Sequence, residues 1–228
     1  MILFFVSDIS TSKCTLEEDE FQHCCKVLRN KVDDTVFITD GQGVFAQARI
    51  VKVNKRNADL EVLSKETKTA SSFIKVLCVA PPKNRSRWEW LLEKSVEIGV
   101  DVIIPMTTGN SERVKLNIER SQKIMRSAAL QSKRIIHPSI SEITSFDKII
   151  SNSEYSNYLK LIAHFKEENE HIIQVSKEGK NKIILVGPEG DFRPEEIEKA
   201  LTENFKLVNI SQNRLRTETA ALVCVNFL

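Results

Sequence analysis

Short apolar runs alternate with polar segments along the second half of the chain. The runs at residues 183–186 and 207–210 are rich in β-branched residues and end in loops, which is typical of buried parallel strands. Further strands are predicted at 73–80, 102–106 and 157–163, and helices at 88–98, 116–133 and 194–204. This alternation predicts an α/β domain with a parallel sheet.

The first 70 residues have a different pattern. Strands are predicted at residues 35–40, 44–53 and 58–64, joined by short turns, with one more strand at 1–8 and a short helix at 16–29. Such an arrangement favours an antiparallel meander or a small barrel. Because residues 65–72 are polar and lack periodicity, two domains are predicted, 1–70 and 71–228.

Two unusual loops follow the last two predicted strands. Residues 187–192 read Gly-Pro-Glu-Gly-Asp-Phe, and residues 211–221 read Ser-Gln-Asn-Arg-Leu-Arg-Thr-Glu-Thr-Ala-Ala. In parallel sheets ligands bind beyond the carboxyl ends of the strands, where both loops lie. We therefore predict the active site there.

Composition narrows the classes of protein. With 41% hydrophobic and 28% charged residues the chain is typical of a soluble globular protein, and no apolar stretch approaches the roughly 20 residues of a membrane span. Five cysteines without paired spacing favour free thiols in a cytoplasmic protein. The four scattered histidines predict no metal site, and no phosphate loop, dinucleotide fingerprint or nucleophile elbow is present.

Charge is uneven although the net charge is only +2. Residues 81–134 hold 11 Lys/Arg against 6 Asp/Glu, and residues 141–205 hold 8 against 13. A basic segment of this size suits a polyanion such as RNA, but solvated helix faces would give the same balance. Trp88 and Trp90 open an amphipathic helix and are expected in the core rather than as stacking platforms.

The two C-terminal loops resemble the signature of a known family. Residues 187–190 (GPEG) and 215–222 (LRTETAAL), with upstream segments 93–100, 111–113 and 128–134, are similar to the RsmE-type methyltransferases of the SPOUT superfamily. In the first domain His23, residues 27–29 and residues 40–41 match positions of that family's PUA-like barrel. The resemblance covers nearly the whole chain in order, and it implies a deep trefoil knot in the parallel-sheet domain.

The resemblance also implies an activity. Members use S-adenosylmethionine to methylate nitrogen 3 of one uridine in 16S ribosomal RNA of the small subunit, and they work as homodimers. This reaction needs a base for the proton on nitrogen 3 or a cation for the resulting anion, and the charged loop residues predicted to provide them are Arg216, Glu218 and Glu189. The resemblance assigns the cofactor to nine residues, namely Ala163, His164, Gly187, Gly190, Ile210, Leu215, Thr217, Thr219 and Ala220. The residues expected to contact RNA are His23, Lys26, Arg29, Lys83, Arg85, Arg87 and Arg113.

Several alternatives stay open at this point. Glu218 would also favour a helix N-terminus, Arg216 could bind the RNA backbone, and His23 could be structural. A related knotted methyltransferase acting on another RNA, and a non-catalytic RNA-binding or ribosome-assembly factor, are the competing functions. Arg193 stands where a small helix-capping residue is commoner in the family, so Asp191 is expected to cap the helix instead.

Overall fold

The structure is a computed structural model that describes residues 1–166, 168–176 and 180–228. It divides into two compact units. Unit 1 comprises Met1–Ser71 together with Ala129–His137, and unit 2 comprises Ser72–Ala128 together with Pro138–Leu228. Residues 129–137 therefore belong with the N-terminal unit, which their position in the sequence did not indicate.

Unit 1 is built on a mixed five-stranded sheet of order β1-β3-β4-β5-β2. The strands β3, β4 and β5 form the expected antiparallel meander, and β1 pairs with β3 in parallel. The core combines Phe4, Leu16 and Phe21 with the alternate inward residues of the long strands. The strands are β1 (Leu3–Phe5), β2 (Lys13–Glu17), β3 (Thr35–Thr39), β4 (Val44–Val53) and β5 (Asn57–Thr67).

The helix predicted at residues 16–29 is wrong in its limits and its form. Leu16 lies in β2, helix α1 covers only Glu18–Phe21, and Gln22–Val27 continues as a wider π-helical turn. Backbone hydrogen bonds between residues five or six positions apart close the wider turn, such as that from Leu28 N to His23 O at 3.0 Å. Arg29 lies beyond the helix in a left-handed conformation (φ 62°).

The turn at Gly41 is hydrogen-bonded to residues of the segment Ala129–His137, which also belongs to unit 1. His137 N donates to Gly41 O at 2.8 Å, and Gly43 N donates to Ile135 O at 3.0 Å. Gly41 has φ +73°, and a Cβ atom there would lie 2.6 Å from His137 Nδ1. A side chain at position 41 would therefore be strained and would collide with this segment.

Unit 2 contains a seven-stranded sheet in which every described pairing is parallel, as the alternating pattern predicts. Its order is β12-β10-β11-β6-β7-β8, with β9 also pairing β7. The strands are β6 (Lys75–Val79), β7 (Val102–Thr107), β8 (Ser139–Ile140), β9 (Thr144–Ser145), β10 (Leu159–Ala163), β11 (Lys182–Val186) and β12 (Lys206–Val208).

Helices connect these strands, and a 3₁₀ turn covers Ser153–Tyr155. The helices are α2 (Arg85–Ile98), α3 (Ile118–Gln131), α4 (Phe146–Ile150), α5 (Ile172–Val175), α6 (Pro194–Thr202) and α7 (Thr217–Phe227). One hydrophobic cluster of this unit joins Ile183, Leu185, Phe192 and Phe205 with residues of α4 and α6.

Helix α2 begins three residues earlier than predicted. The Asn84 side chain accepts hydrogen bonds from the backbone N–H groups of Ser86 and Arg87 and so caps the helix at Arg85. The helix ends at Gly99, whose left-handed conformation (φ 114°) is typical of a C-cap. Arg85 and Arg87 consequently lie on the first turn of the helix rather than before its start.

The sheet register brings three strand ends together. Ala163 of β10 is paired with Val186 of β11 and with Val208 of β12. The residues that follow these strands therefore start from one edge of the sheet, which is where the sequence places the two unusual loops.

Candidate active site

A cavity of about 550 Å³ lies at the carboxyl ends of β10, β11 and β12. Three chain segments form its wall, residues 163–165, residues 186–191 and residues 210–220. Its volume is within the range of roughly 300–1,000 Å³ that is usual for small-molecule sites. The residues lining it are Ala163, His164, Phe165, Val186, Gly187, Pro188, Glu189, Asp191, Ile210, Ser211, Asn213, Arg214, Leu215, Arg216, Thr217 and Ala220.

The loop after β11 is held in shape by its own backbone and by a histidine. Asp191 N donates to Pro188 O at 2.9 Å, and Asp191 takes up a left-handed conformation with φ 62°. The Asp191 carboxylate lies 3.1 Å from His164 Nδ1, which ties this loop to the end of β10. A Cβ atom on Gly187 would come within 3.0 Å of the buried Phe192 ring, so the loop is packed tightly where it leaves the strand.

Two hydrogen bonds join the loop after β12 to the loop after β11. The Thr217 hydroxyl donates to Gly187 O at 3.2 Å, and the Arg214 guanidinium donates to Glu189 O at 3.0 Å. Helix α7 starts directly after this loop, with Arg216 at the N-cap position. The first backbone N–H groups of α7 place a partial positive charge beside the cavity.

Seven of the nine residues predicted to hold the cofactor line this cavity. They are Ala163, His164, Gly187, Ile210, Leu215, Thr217 and Ala220. Gly190 lies outside the lining, and its carbonyl oxygen accepts a hydrogen bond from the Asn110 amide at 3.2 Å. Thr219 is exposed and lines a neighbouring cavity instead.

The neighbouring cavity has a volume of about 380 Å³. The start of α2 and the start of α7 form it, and Arg216 lines both cavities. The residues lining it are Asn84, Ser86, Arg87, Trp90, Arg216, Glu218 and Thr219. Two cavities that share one arginine are therefore adjacent within unit 2.

The three predicted catalytic residues occupy different environments. Glu218 is only 6% exposed, and Arg87 Nε lies 3.5 Å from its Oε1 atom. Within the described part of the chain, its Oε2 atom is buried and has no hydrogen-bond partner. Arg216 and Glu189 are exposed side chains at the rim, with Glu189 on the side of the larger cavity only.

The expectation that both tryptophans lie in the core is wrong for Trp90. Trp88 is 2% exposed and its indole N–H donates to Ser121 Oγ at 3.2 Å, whereas Trp90 is 44% exposed and lines the smaller cavity. Two residues along a helix correspond to about 200° of rotation, so the two indole rings lie on opposite sides of α2.

The basic residues predicted for RNA contact are placed in both units. His23, Lys26 and Arg29 are exposed in unit 1. In unit 2, Lys83 forms an exposed ion pair with Glu112 at 2.7 Å, and Arg113 is partly buried. Arg87 faces Glu218, and Arg85 pairs with Glu89 at 2.6 Å.

Glu89 is a bridge between two helices. It accepts hydrogen bonds from Arg120 of α3 and from Arg85 of its own helix. These two contacts, that of Arg120 first, lower the pKa of Glu89 from 4.5 to about 2. This links the first turns of α2 and α3 and fixes the helix end that carries Arg87.

Several lining residues were not among the predicted site residues. Asp191 and Pro188 belong to the same loop as Gly187, and Asn213 and Arg214 immediately precede the family signature. Their position in these two loops could have indicated that they line the cavity. Phe165 follows β10 without any motif, so only the fold brings it to the cavity.

The described part of the chain contains no group of three or more His, Cys, Asp or Glu residues placed to hold a metal ion. None of its helices has both the length and the apolar character needed to cross a bilayer.

The chain is similar to known proteins over almost its whole length. The family model of an RNA methyltransferase domain matches residues 70–228, and that of an RNA methyltransferase PUA domain matches residues 16–63. "Ribosomal RNA small subunit methyltransferase E" of Rickettsia conorii is 32% identical over 219 residues, which are 94% of this chain and 88% of that protein.

Solved structures agree with this result. A "probable rRNA-methyltransferase" from Porphyromonas gingivalis is 33% identical with a TM-score of 0.91, over 99% of this chain and 95% of that one. The ribosomal RNA small subunit methyltransferase E of Neisseria gonorrhoeae, crystallised with S-adenosyl methionine, is 27% identical with a TM-score of 0.87 over the same shares. The SPOUT-type fold and the PUA-like unit expected from the resemblance are confirmed, and the chain belongs to the RNA methyltransferase family.

Proposed function

We propose that the protein transfers a methyl group from S-adenosylmethionine to nitrogen 3 of a uridine in 16S ribosomal RNA of the small subunit. The observation that carries the proposal is the cavity at the carboxyl ends of β10, β11 and β12, formed by the two loops of the family signature. The Neisseria relative named above, crystallised with S-adenosyl methionine, supports the choice of cofactor.

The residues of the cavity fit S-adenosylmethionine. Ala163, Ile210 and Leu215 supply apolar surface suited to an adenosine moiety, while the loop backbones and the Asp191 carboxylate supply polar groups. Gly187, His164, Thr217 and Ala220 complete the predicted binding set within the cavity, and Gly190 and Thr219 flank it. When bound, the cofactor supplies a methyl group whose bond to sulfur breaks with the electron pair remaining on sulfur.

The protein has to remove the N3 proton of the uracil ring or stabilise the negative charge that its loss leaves. Nitrogen 3 carries a weakly acidic proton, so a base has to take it or a cation has to stabilise the resulting anion. Glu218 is the carboxylate assigned to the proton, and Arg216, at the rim shared by both cavities, is the cation assigned to the oxyanion. Glu189 is the third residue assigned to catalysis, at the rim of the larger cavity.

The remaining parts of the proposal concern the setting of the reaction. His23, Lys26 and Arg29 of unit 1, with Lys83, Arg85, Arg87 and Arg113 of unit 2, contact the RNA. The protein acts in the cytoplasm, as a homodimer, on RNA within the 30S subunit. The trefoil knot of the family holds the cofactor loops in unit 2.

Calorimetric titration with S-adenosylmethionine, beside nicotinamide cofactors and nucleoside triphosphates, tests the first part. Saturable binding of S-adenosylmethionine alone is expected. Tritium transfer from labelled cofactor to 30S subunits, followed by mapping of the modified base, tests the second. A label in transfer RNA would favour a methyltransferase of another specificity. A folded protein that binds RNA without binding cofactor would favour a non-catalytic assembly factor.

The role of Arg216 has its own test. Arg216→Ala should lower kcat by about 100-fold or more, as loss of one charge-stabilising donor does, and change the Kd for S-adenosylmethionine by less than about threefold. Arg214→Ala is the contrasting variant, because Arg214 holds the Glu189 backbone in the loop and should mainly weaken cofactor affinity. Equal collapse of cofactor binding in Arg216→Ala would make Arg216 a cofactor or structural residue.

A further inference from the structure

The smaller cavity contains a buried carboxylate that the structure leaves unsatisfied. Glu218 is more than nine-tenths buried and lines this cavity, and no described residue gives its Oε2 atom a hydrogen bond. A buried acceptor without a donor is costly, so each such atom calls for a partner such as a water or a bound ligand, or for a catalytic role. Two positive groups lie beside this carboxyl group, the N-terminus of α7 and the Arg87 guanidinium, whose Nε atom is 3.5 Å from Oε1.

The groups around Glu218 match the edge of one nucleobase. Uracil presents the carbonyl oxygens O2 and O4 as acceptors on either side of the N3–H donor. The cavity combines one acceptor, Glu218, with two guanidinium donors, Arg87 and Arg216. Cytosine carries no proton on N3, so its ring nitrogen would face the carboxylate lone pairs and be repelled.

The remaining wall of the cavity suits the face of a base. Trp90 is exposed although it lies on the same helix as the buried Trp88, and its ring borders the cavity. Enzymes that modify a base take it out of the stack and hold it against an aromatic or apolar side chain. The smaller cavity has the composition of such a pocket, because the exposed indole of Trp90 lies beside the acceptor Glu218 and the donors Arg87 and Arg216.

We infer that the smaller cavity is the acceptor pocket for the flipped uracil, with Trp90 as stacking platform and Glu218 as N3–H acceptor. Arg87 holds Glu218 in place and donates to a uracil carbonyl oxygen. This inference rests on the proposed function, since it names where the RNA base sits. The N3–H proton passes to Glu218 Oε2, and the electron pair left on N3 forms the new bond to the methyl carbon. Arg216, shared by both cavities, faces donor and acceptor at once.

Intrinsic fluorescence gives a test that does not depend on activity, because the chain has only two tryptophans and Trp88 is buried. Single-stranded oligouridylate, titrated without cofactor, should quench the fluorescence of Trp90, and oligocytidylate should bind at least about tenfold more weakly. Trp90→Phe should abolish the quenching while a labelled oligouridylate still binds. Trp90→Ala should weaken that binding by about tenfold, as loss of one stacked base does.

Substitutions of Glu218 and Arg87 distinguish a role in preference for uridine from a role in protein stability. Glu218→Gln keeps the size of the side chain but adds a donor, so the ratio of oligouridylate to oligocytidylate affinity should fall to near one. Arg87→Lys should keep most of this ratio and Arg87→Ala should lose it. Ile98→Ala, which removes another exposed apolar side chain of α2, is the matched control and should behave like the wild type.

Each failure has a distinct meaning. A wild-type protein that binds S-adenosylmethionine and methylates 30S subunits, but shows neither quenching nor preference for uridine, would overturn the acceptor pocket and leave the proposed function intact. Quenching with uridine preference, in a protein that binds no cofactor, would support the pocket and refute the methyltransferase. A change of oligomeric state in Trp90→Ala with unchanged oligouridylate affinity would assign Trp90 to a protein interface and also overturn the pocket.

Discussion

The hydrogen bond from Thr217 to Gly187 holds the two loops of the larger cavity together. Thr217 opens α7 and Gly187 follows β11, so a single hydroxyl connects the segments after two different strands. Thr217 is 4% exposed, which keeps water away from the bond. Thr217→Val keeps the volume of the side chain and removes only the donor.

The expected cost follows from the geometry. A net intramolecular hydrogen bond is worth about 0.5–1.5 kcal/mol, and the distance of 3.2 Å is long for a hydroxyl donor. We therefore expect a loss of about 1 kcal/mol, which lowers the Tm of a chain of this size by about 2–4 °C. If the loop has to be re-formed when the cofactor binds, the Kd for S-adenosylmethionine rises about fivefold.

Thermal unfolding of the cofactor-free protein and calorimetry with S-adenosylmethionine measure both effects. Thr217→Ser is the matched control, because it loses about as much stability through its missing methyl group but keeps the hydroxyl, and so should keep the wild-type Kd. A wild-type Kd in Thr217→Val would refute the reasoning. A raised Kd without any fall in Tm would show that the hydroxyl contacts the cofactor directly.

Two further predictions concern the start of α2 and the residues just before it. Because Arg120 and Arg85 lower the pKa of Glu89 to about 2, the stability gap between wild type and Glu89→Gln in urea unfolding should be present above about pH 4.5 and disappear as the pH falls towards 2; a gap that persists at pH 2 would contradict this. Replacing both Lys83 and Arg85 by Ala should reduce the slope of log K against log salt for RNA binding by about 1 to 2, while Lys199→Ala, which removes another exposed cation, should leave it unchanged. An unchanged slope in the double variant would remove both residues from the interface.

Much of the fold and of the larger cavity was predictable because the evidence is local in the sequence. The run at residues 183–186 and the loop that follows are contiguous, and a parallel sheet places such loops at one edge. Seven of the nine predicted cofactor residues accordingly line one cavity. The long strand at Val44–Val53 was also predicted with its observed limits, since turns bound it on both sides.

The predicted helix limits and caps were wrong where they depend on hydrogen bonds of a few residues with their neighbours. The start of α2 shifted to Arg85 because Asn84 caps it, and the residues near Arg29 did not continue an α-helix. Asp191 does not cap α6 as expected. Arg193 is the N-cap, and its backbone N–H donates to the Glu196 carboxylate at 2.8 Å. Capping and helix form are decided by hydrogen bonds of this kind, which composition does not reveal.

The sequence by itself indicated the longer strands and helices, the two loops and the family, because each depends on the spacing of residues along one segment. The short elements β2, β8, β9, α4 and α5 were not predicted. Only the tertiary structure decided that residues 129–137 belong to unit 1 and that Trp90 is exposed. The same holds for the meeting of Arg87 of α2 with the buried Glu218 of α7. These facts depend on contacts between segments far apart in the chain, and such contacts are fixed by packing rather than by local pattern.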